Sequence, residues 1–404
     1  MPRLLLINVT RSVLSTGRIV DSIGHLAKEQ GWDVCVVHGA RYVGDSDLDH
    51  YQVTTYTNEV LHYLKSTLFD AQGLGSYYPT KRLIKFMGAY KPDVVHIHNI
   101  HGCYIHYPLL FDYLRNKRIQ TIWTLHDCWP MTGHCVHFEK TRCVKWKTQC
   151  EKCPAIRDFP SSWIIDNSRK NYLRKKRLLA DMANLQITTV SKWLYSVAQE
   201  SFLKERPSRV IYNGVDTKVF KPTNSSVRDT LSVGNKILLL GLASSFDERK
   251  GIWDYVHLSK ILPSKKYQIL LVGGNDADMQ KTANTNIIHL ARTDDTKQLV
   301  EIYSASDILL SLSYEETFGL TIAEAMSCGT PSIVYNNTAQ PELVTEQTGI
   351  VVETGNIEGI ITAIQTIEKK GKKSYTANCR LRAEQCFDKA KRYAEYLQLY
   401  NSIL

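Results

Sequence analysis

Ten short apolar runs, five in each half of the chain, alternate with longer amphipathic stretches, and this rhythm constrains the fold more than any other feature. In the first half the runs are Leu4–Val9, Val34–His38, Val94–His98, Thr121–Leu125 and Ile187–Val190. In the second they are Lys236–Gly241, Gln268–Gly273, Ile287–Leu290, Asp307–Leu312 and Ser332–Tyr335. Strands apolar along their whole length are buried on both faces, as in parallel sheets covered by helices. Two such series in tandem predict an α/β protein with two doubly wound parallel-sheet domains. A chain of 404 residues also exceeds what one hydrophobic core usually serves. The break is expected near 206/207, where Asn213-Gly214 and Lys221-Pro222 supply turn chemistry. The predicted domains are 1–206, with a cysteine-rich insertion at 128–160, and 207–386. A terminal helix over 387–404 is expected to pack back on the first domain, with Tyr393, Leu397 and Tyr400 at helical spacing.

No apolar run approaches the roughly 20 residues of a membrane span, and the start MPRLLLINVT lacks a signal peptide's apolar stretch and cleavage site. The chain is therefore read as cytoplasmic, with its ten cysteines reduced. A net charge of +10 favours an anionic partner without choosing among nucleotide, nucleic acid and lipid.

The strongest motif runs from Ser313 to Pro331, Ser-Tyr-Glu-Glu-Thr-Phe-Gly-Leu-Thr-Ile-Ala-Glu-Ala-Met-Ser-Cys-Gly-Thr-Pro. A strand ending at Leu312 leads into a polar turn, and a helix is expected from about Phe318–Leu320. The N–H groups at such a helix start suit a diphosphate, which makes Phe318, Gly319 and Leu320 donor-binding candidates. Glu316 and Glu324 stand eight residues apart, too far to meet within one helix. Each can serve a different part of an elongated ligand.

This segment resembles the family-four retaining glycosyltransferases of the GT-B fold, whose hallmark is two glutamates separated by seven residues. The resemblance implies two Rossmann-like domains facing a cleft. It assigns Glu324 to the ribose hydroxyls of a nucleoside-diphosphate sugar and Glu316 to the donor sugar. Ile211-Tyr-Asn-Gly-Val-Asp216 looks like the family's opening of the second domain. Leu271-Val-Gly-Gly274 and Tyr303-Ser-Ala-Ser-Asp307 look like its third and fifth strand regions. Where the family has Gly-Arg before Lys-Gly, this chain has Ala243-Ser244 before Lys250-Gly251. Lys250, Arg249 and the Ser244 hydroxyl are the groups left to neutralise a diphosphate.

In the first half, Gly17 is the nearest match to the family's glycine-bearing loop, ahead of a helix expected over Arg18–Glu29, and a plain turn is the competing reading. His126, in Thr124-Leu-His-Asp127, resembles the family's active-site histidine, while His96 and His98 read as core or supporting residues. Cys135, Cys143, Cys150 and Cys153 could close a tetrahedral structural zinc, with His134 and His137 as substitutes. Unrelated reduced thiols or an oxidised pair compete with that reading. The run Trp129-Pro-Met-Thr-Gly-His-Cys135 resembles transferases of colanic-acid, capsule and O-antigen assembly. It implies bacterial surface-polysaccharide synthesis, with a saccharide or lipid-linked saccharide acceptor. The basic stretch Arg169–Arg177 could bring the protein to the inner face of an anionic membrane. The resemblance implies catalysis without a cofactor or divalent metal. Two other readings stay open, a GT-B sugar-nucleotide epimerase and a basic zinc-containing nucleic-acid-binding protein. Nucleic acid is not expected, since no aromatic-basic recognition motif is present.

Overall fold

The computed structural model describes residues 1–293 and 295–404. The chain divides into two compact units, Met1–Ile211 with Tyr393–Leu404, and Tyr212–Arg392. The first holds strands β1 (Arg3–Ile7), β2 (Asp33–His38), β3 (Asp49–Gln52), β4 (Val94–Ile97), β5 (Gln120–Leu125), β6 (Leu185–Thr189) and β7 (Ser208–Val210). They form one sheet in the order β3-β2-β1-β4-β5-β6-β7, and every pairing is parallel. Its core is built as the apolar runs require. Leu4, Leu6, Val34, Val36, Val94 and Ile122 of the strands pack on Ile19, Val20 and Ile23 of the helix Leu14–Glu29.

The chain's last helix, Lys389–Ile403, adds Tyr393, Tyr396, Leu399 and Tyr400 to that core. Tyr400 meets the ring of Trp32 edge-on at 5.5 Å. The terminal segment is therefore structural glue for the first unit, because these aromatic side chains bury large areas.

The second unit holds β8 (Ile237–Ala243), β9 (Tyr267–Gly273), β10 (Ile288–Leu290), β11 (Ile308–Ser311), β12 (Ser332–Tyr335) and β13 (Gly349–Val352). Their order is β10-β9-β8-β11-β12-β13, again with every pairing parallel. The unit is tied off where its ends meet. Val215 bridges Asp388, and a side chain at Gly214 would run into the Lys389 backbone at 2.4 Å.

In each sheet the winding direction reverses beside the first strand, between β1 and β4 and between β8 and β11. Such switch points, at the carboxyl ends of the strands, are where open α/β sheets take ligands. Several local expectations differ from the structure. The first helix starts at Leu14 and includes Gly17. Tyr303 lies in the helix Thr296–Ala305 rather than in a strand. Strands β3, β7 and β13 were not expected at all.

Candidate functional site

The second unit's switch point gathers most of the expected donor residues. Ser244 follows β8 directly and is exposed. One 3-10 turn later, at Glu248–Lys250, the chain must swing back under β11. Gly251 makes that turn at φ 72°, where an added Cβ would sit 2.2 Å from the Leu312 carbonyl oxygen. Among residue types only glycine tolerates the left-handed conformation together with so close an approach.

The loop after β11 is pinned from both sides. Tyr314 N–H donates to the Arg249 carbonyl at 2.7 Å, and Arg249 Nη1 donates to the Glu315 carbonyl at 3.1 Å. From the other side, the Thr338 hydroxyl accepts from Glu316 N–H at 2.9 Å, and Gln340 Nε2 donates to the Ser313 carbonyl at 2.7 Å. The result holds the Glu316 carboxylate against Lys250 Nζ in an ion pair, both side chains being about one-fifth exposed (22% and 17%).

The following helix, Leu320–Ser327, begins at Gly319 (φ 101°) with no side-chain cap. Its first-turn N–H groups are therefore not taken up by a capping side chain, which leaves an anion-favouring helix start. Glu324 lies one turn further along, and its Oε2 accepts from the Tyr303 hydroxyl at 2.7 Å. Sequence reasoning missed two features here. Tyr303 orients Glu324, and Glu315, next to Glu316, is the buried carboxylate of the pair (1% exposed). Phe318 stands just before that helix. Its ring is buried beside Tyr212 and Phe387, so only its backbone remains for a ligand.

The first unit's switch point carries the histidines. His98 Nδ1 and His126 Nε2 share a hydrogen bond of 2.9 Å, with the rings stacked at 5.2 Å. Below them His96 bonds Tyr400 at 2.6 Å and Thr124 at 2.7 Å. Burial holds His126 down to about 4 and His96 down to about 3, with His98 also well below the usual range. All three imidazoles are neutral at physiological pH. Beside them Asp127 bonds His101 Nε2 at 2.6 Å and caps Trp129 N–H at 2.9 Å. Burial opposes its ionisation, but His101 and the Trp129 N–H hold its carboxyl below the usual range. Gly17 is corrected: it is a buried helical residue, and a Cβ there would strike the Thr10 hydroxyl at 2.7 Å. Its missing side chain makes room for the loop after β1, so the plain-turn reading does not hold.

The cysteine loop also differs from expectation. Cys150 sulfur accepts from Gly133 N–H at 3.2 Å. A hydrogen bond from Cys135 draws the Cys153 thiol below its usual range. Among the described residues, no group of three or more His, Cys, Asp or Glu side chains is disposed to hold a metal ion. Cys150 is engaged with backbone and Cys135 with Cys153, and the four thiols inferred from spacing are not gathered around one point.

The basic stretch is corrected at one residue. Lys175 points inward, 1% exposed, and donates to the Trp129 and Thr132 carbonyls at 2.6 and 3.0 Å. Its ammonium lies 3.4 Å from the Trp129 ring centroid, and burial pushes it down to about 7. Arg169, Lys170, Lys176 and Arg177 are the exposed cations of that helix.

Among known proteins, residues 16–219, half of the chain, match the family model Glycosyltransferase Family 4. Residues 228–384 match Glycosyl transferases group 1. The chain is 23% identical over 352 residues to the putative colanic acid biosynthesis glycosyl transferase WcaC of Escherichia coli K12, covering 81% of each. Its fold is similar to sucrose-phosphate synthase from Thermosynechococcus elongatus, with a TM-score of 0.73 at 19% identity over 100% of this chain and 99% of that one. It is also similar to Anabaena HepE in complex with UDP-glucose, at 0.68 and 16%, over 99% of each chain. At such identities these two structures speak for the GT-B fold alone. Taken with the two family matches, they close the assignment: this chain belongs to Glycosyltransferase Family 4, with a group 1 segment in its second half.

Proposed function

We propose that the chain is a retaining glycosyltransferase of polysaccharide synthesis. It would move a sugar from a nucleoside-diphosphate sugar to a saccharide or lipid-linked saccharide. The observation that carries this reading is the β8/β11 switch point, where Lys250, Glu316, an uncapped helix start and a Tyr303-oriented Glu324 stand together. A nucleotide sugar presents in sequence the groups these residues match. The ribose diol would meet Glu324, the diphosphate the helix start with Lys250, and the sugar Glu316. The UDP-glucose bound by the Anabaena structure supports a donor of this class, and the likeness to WcaC supports a surface-polysaccharide setting.

In the proposed step the acceptor hydroxyl attacks the anomeric carbon on the face from which the diphosphate departs. The new C–O bond forms as the C–O bond to phosphate breaks, and the acceptor proton passes to the leaving phosphate oxygen. Lys250 and the helix N–H groups lower the barrier by stabilising charge that grows on the diphosphate. No residue need become covalently bound. His126, neutral and tethered to His98, would offer a hydrogen bond rather than a charge.

The cysteine loop is proposed to take a structural zinc that draws its ligands together on binding. Asp70 bonds His134 Nδ1 at 2.6 Å, while His134 Nε2 is buried with no hydrogen-bond partner among the described residues. A carboxylate behind an imidazole is the arrangement metal-ligating histidines use.

Incubation with a panel of nucleotide sugars and saccharide acceptors, followed by NMR of the product, tests the activity. Retention of anomeric configuration is expected. An inverted product, or donor conversion with no acceptor present, would contradict the reading.

A further inference from the structure

The helix Tyr56–Phe69 is turned the wrong way round for a globular protein. Its solvent side carries Leu61 (60% exposed) and Leu64 (48%), with Phe69 (44%) at its end. Leu61 and Leu64 are three residues apart, hence on one face. The residues this helix buries include Glu59, His62, Ser66 and Thr67. Glu59 accepts from Ala40 N–H and from the Thr54 hydroxyl at 2.7 Å, and His62 Nε2 accepts from Gly75 N–H at 2.8 Å. Polar groups are thus paired inside while leucines face water, a distribution that makes an exposed apolar patch informative.

A second segment extends the patch. Trp163 N–H donates to the Thr67 carbonyl at 2.7 Å and Ile165 N–H to the Leu68 carbonyl at 3.2 Å. These bonds lay the segment along the end of the same helix. Phe159, Trp163, Ile164 and Ile165 on it are exposed, Ile164 by 69% and Trp163 by 61%. Asn167 continues the seam, donating to the Phe69 carbonyl at 2.8 Å. It leads into the helix Ser168–Leu179, whose first exposed side chains are the cations Arg169 and Lys170. Lys65 supplies another exposed cation beside Leu61 and Leu64.

We propose that this face, formed by Leu61, Leu64, Phe69, Trp163 and Ile164 with Lys65, Arg169 and Lys170 at its border, docks on the surface of an anionic lipid bilayer. Tryptophan and aliphatic tips enter the headgroup boundary, and flanking cations pair with lipid phosphates. Charge complementarity selects this occupant. Three cations against one exposed carboxylate, Asp166, itself bonded to the Cys153 and Ser168 N–H groups, leave the border net cationic on a chain of net charge +10. A second copy of the same chain would bring like charge against it. Among the described residues no helix is long and apolar enough to cross a membrane, so the contact is interfacial. The surface differs from the basic helix face alone, because its apolar part carries the insertion. It goes beyond the transferase reading and does not depend on it.

Sedimentation of the full chain with vesicles decides the matter. One set is pure phosphatidylcholine and the other equal parts phosphatidylcholine and phosphatidylglycerol. Partition into the anionic vesicles is expected, falling as salt rises. Trp163→Ser combined with Ile164→Ser should lower it on the order of tenfold or more, and Arg169→Gln with Lys170→Gln by a similar factor. Both pairs are exposed, and unchanged thermal unfolding would show that the fold survives. Wild-type protein that stays in the supernatant, or a Trp163/Ile164 variant that sediments undiminished, overturns the proposal. So does a wild-type dimer that the same two substitutions convert to monomer, since the face would then belong to a second copy.

Discussion

Lys250 and Glu316 form an ion pair between the turn after β8 and the loop after β11, at the point where the second sheet reverses its winding. Lys250 is thus a shared charge, held ready by a carboxylate until a more strongly anionic group arrives. Removing it leaves a largely buried Glu316 carboxylate without its cation, which would also repel a diphosphate. Lys250→Ala is expected to lower turnover about 10²-fold or more. Arg249 acts differently, since its guanidinium supports the Glu315 carbonyl. Arg249→Ala should cost about 1 kcal/mol of stability and affect turnover less. Steady-state kinetics and urea denaturation of both variants separate the two roles, and equal small effects on turnover would return diphosphate binding to the backbone.

Lys175 provides a test of packing. Lys175→Ala strips the Trp129 and Thr132 carbonyls of their donor and opens a cavity beneath the Trp129 ring. A loss of about 2–4 kcal/mol in urea denaturation is expected, against less than about 0.5 kcal/mol for the exposed Lys176→Ala. Neutralising the whole basic run would therefore lower stability as well as remove surface charge.

The buried histidines make stability depend on acid. Their folded values, about 4 for His126 and about 3 for His96, lie below an unfolded value of about 6.5. Between these limits the unfolded chain binds more protons, so stability rises with pH and is lost as pH falls from about 6.5 towards 3. His96→Gln should be less stable than wild type at pH 7, and that gap should shrink by up to about 1.4 kcal/mol per pH unit in the acid window. A gap independent of pH would mean that His96 does not titrate with folding.

For the cysteine loop, metal analysis of reduced, freshly purified protein should give about one zinc per chain, with less in Cys150→Ser and in His134→Gln. Cys143→Ser, at a half-buried thiol, should lower the zinc content as well if all four thiols take part. Metal-free protein of undiminished thermal stability would leave the loop held by its hydrogen bonds alone.

The strands that position the site were legible because their chemistry is one-dimensional. Leu4–Ile7 and Ile237–Leu240 are apolar without interruption, and burial on both faces needs nothing more. Strand β3, Asp49–Gln52, is mostly exposed, and β7 is a three-residue edge, so neither carries an apolar signature. The two spaced glutamates were visible as a motif, yet nothing in adjacent Glu315 and Glu316 says which is buried. Lys175 sits in a run of cations whose helical phase alone turns it inward. His98 and His126 meet because β4 and β5 pair in register, His96 opposite Ile122. Their 28-residue separation along the chain hides that contact from any local pattern.

The central claim is that a nucleotide sugar binds the second unit through Glu324. Thermal unfolding measured with a panel of nucleoside-diphosphate sugars tests it most directly, because a ligand of the native state raises the midpoint by mass action. At least one sugar nucleotide should stabilise the wild-type protein. Glu324→Ala should weaken that ligand by on the order of 1–3 kcal/mol, through loss of a hydrogen bond to a charged group. Tyr303→Phe, which frees the Glu324 carboxylate from its 2.7 Å tether, should weaken it by about 1 kcal/mol. Stabilisation by no member of the panel, or equal stabilisation of wild type and Glu324→Ala, would contradict the account.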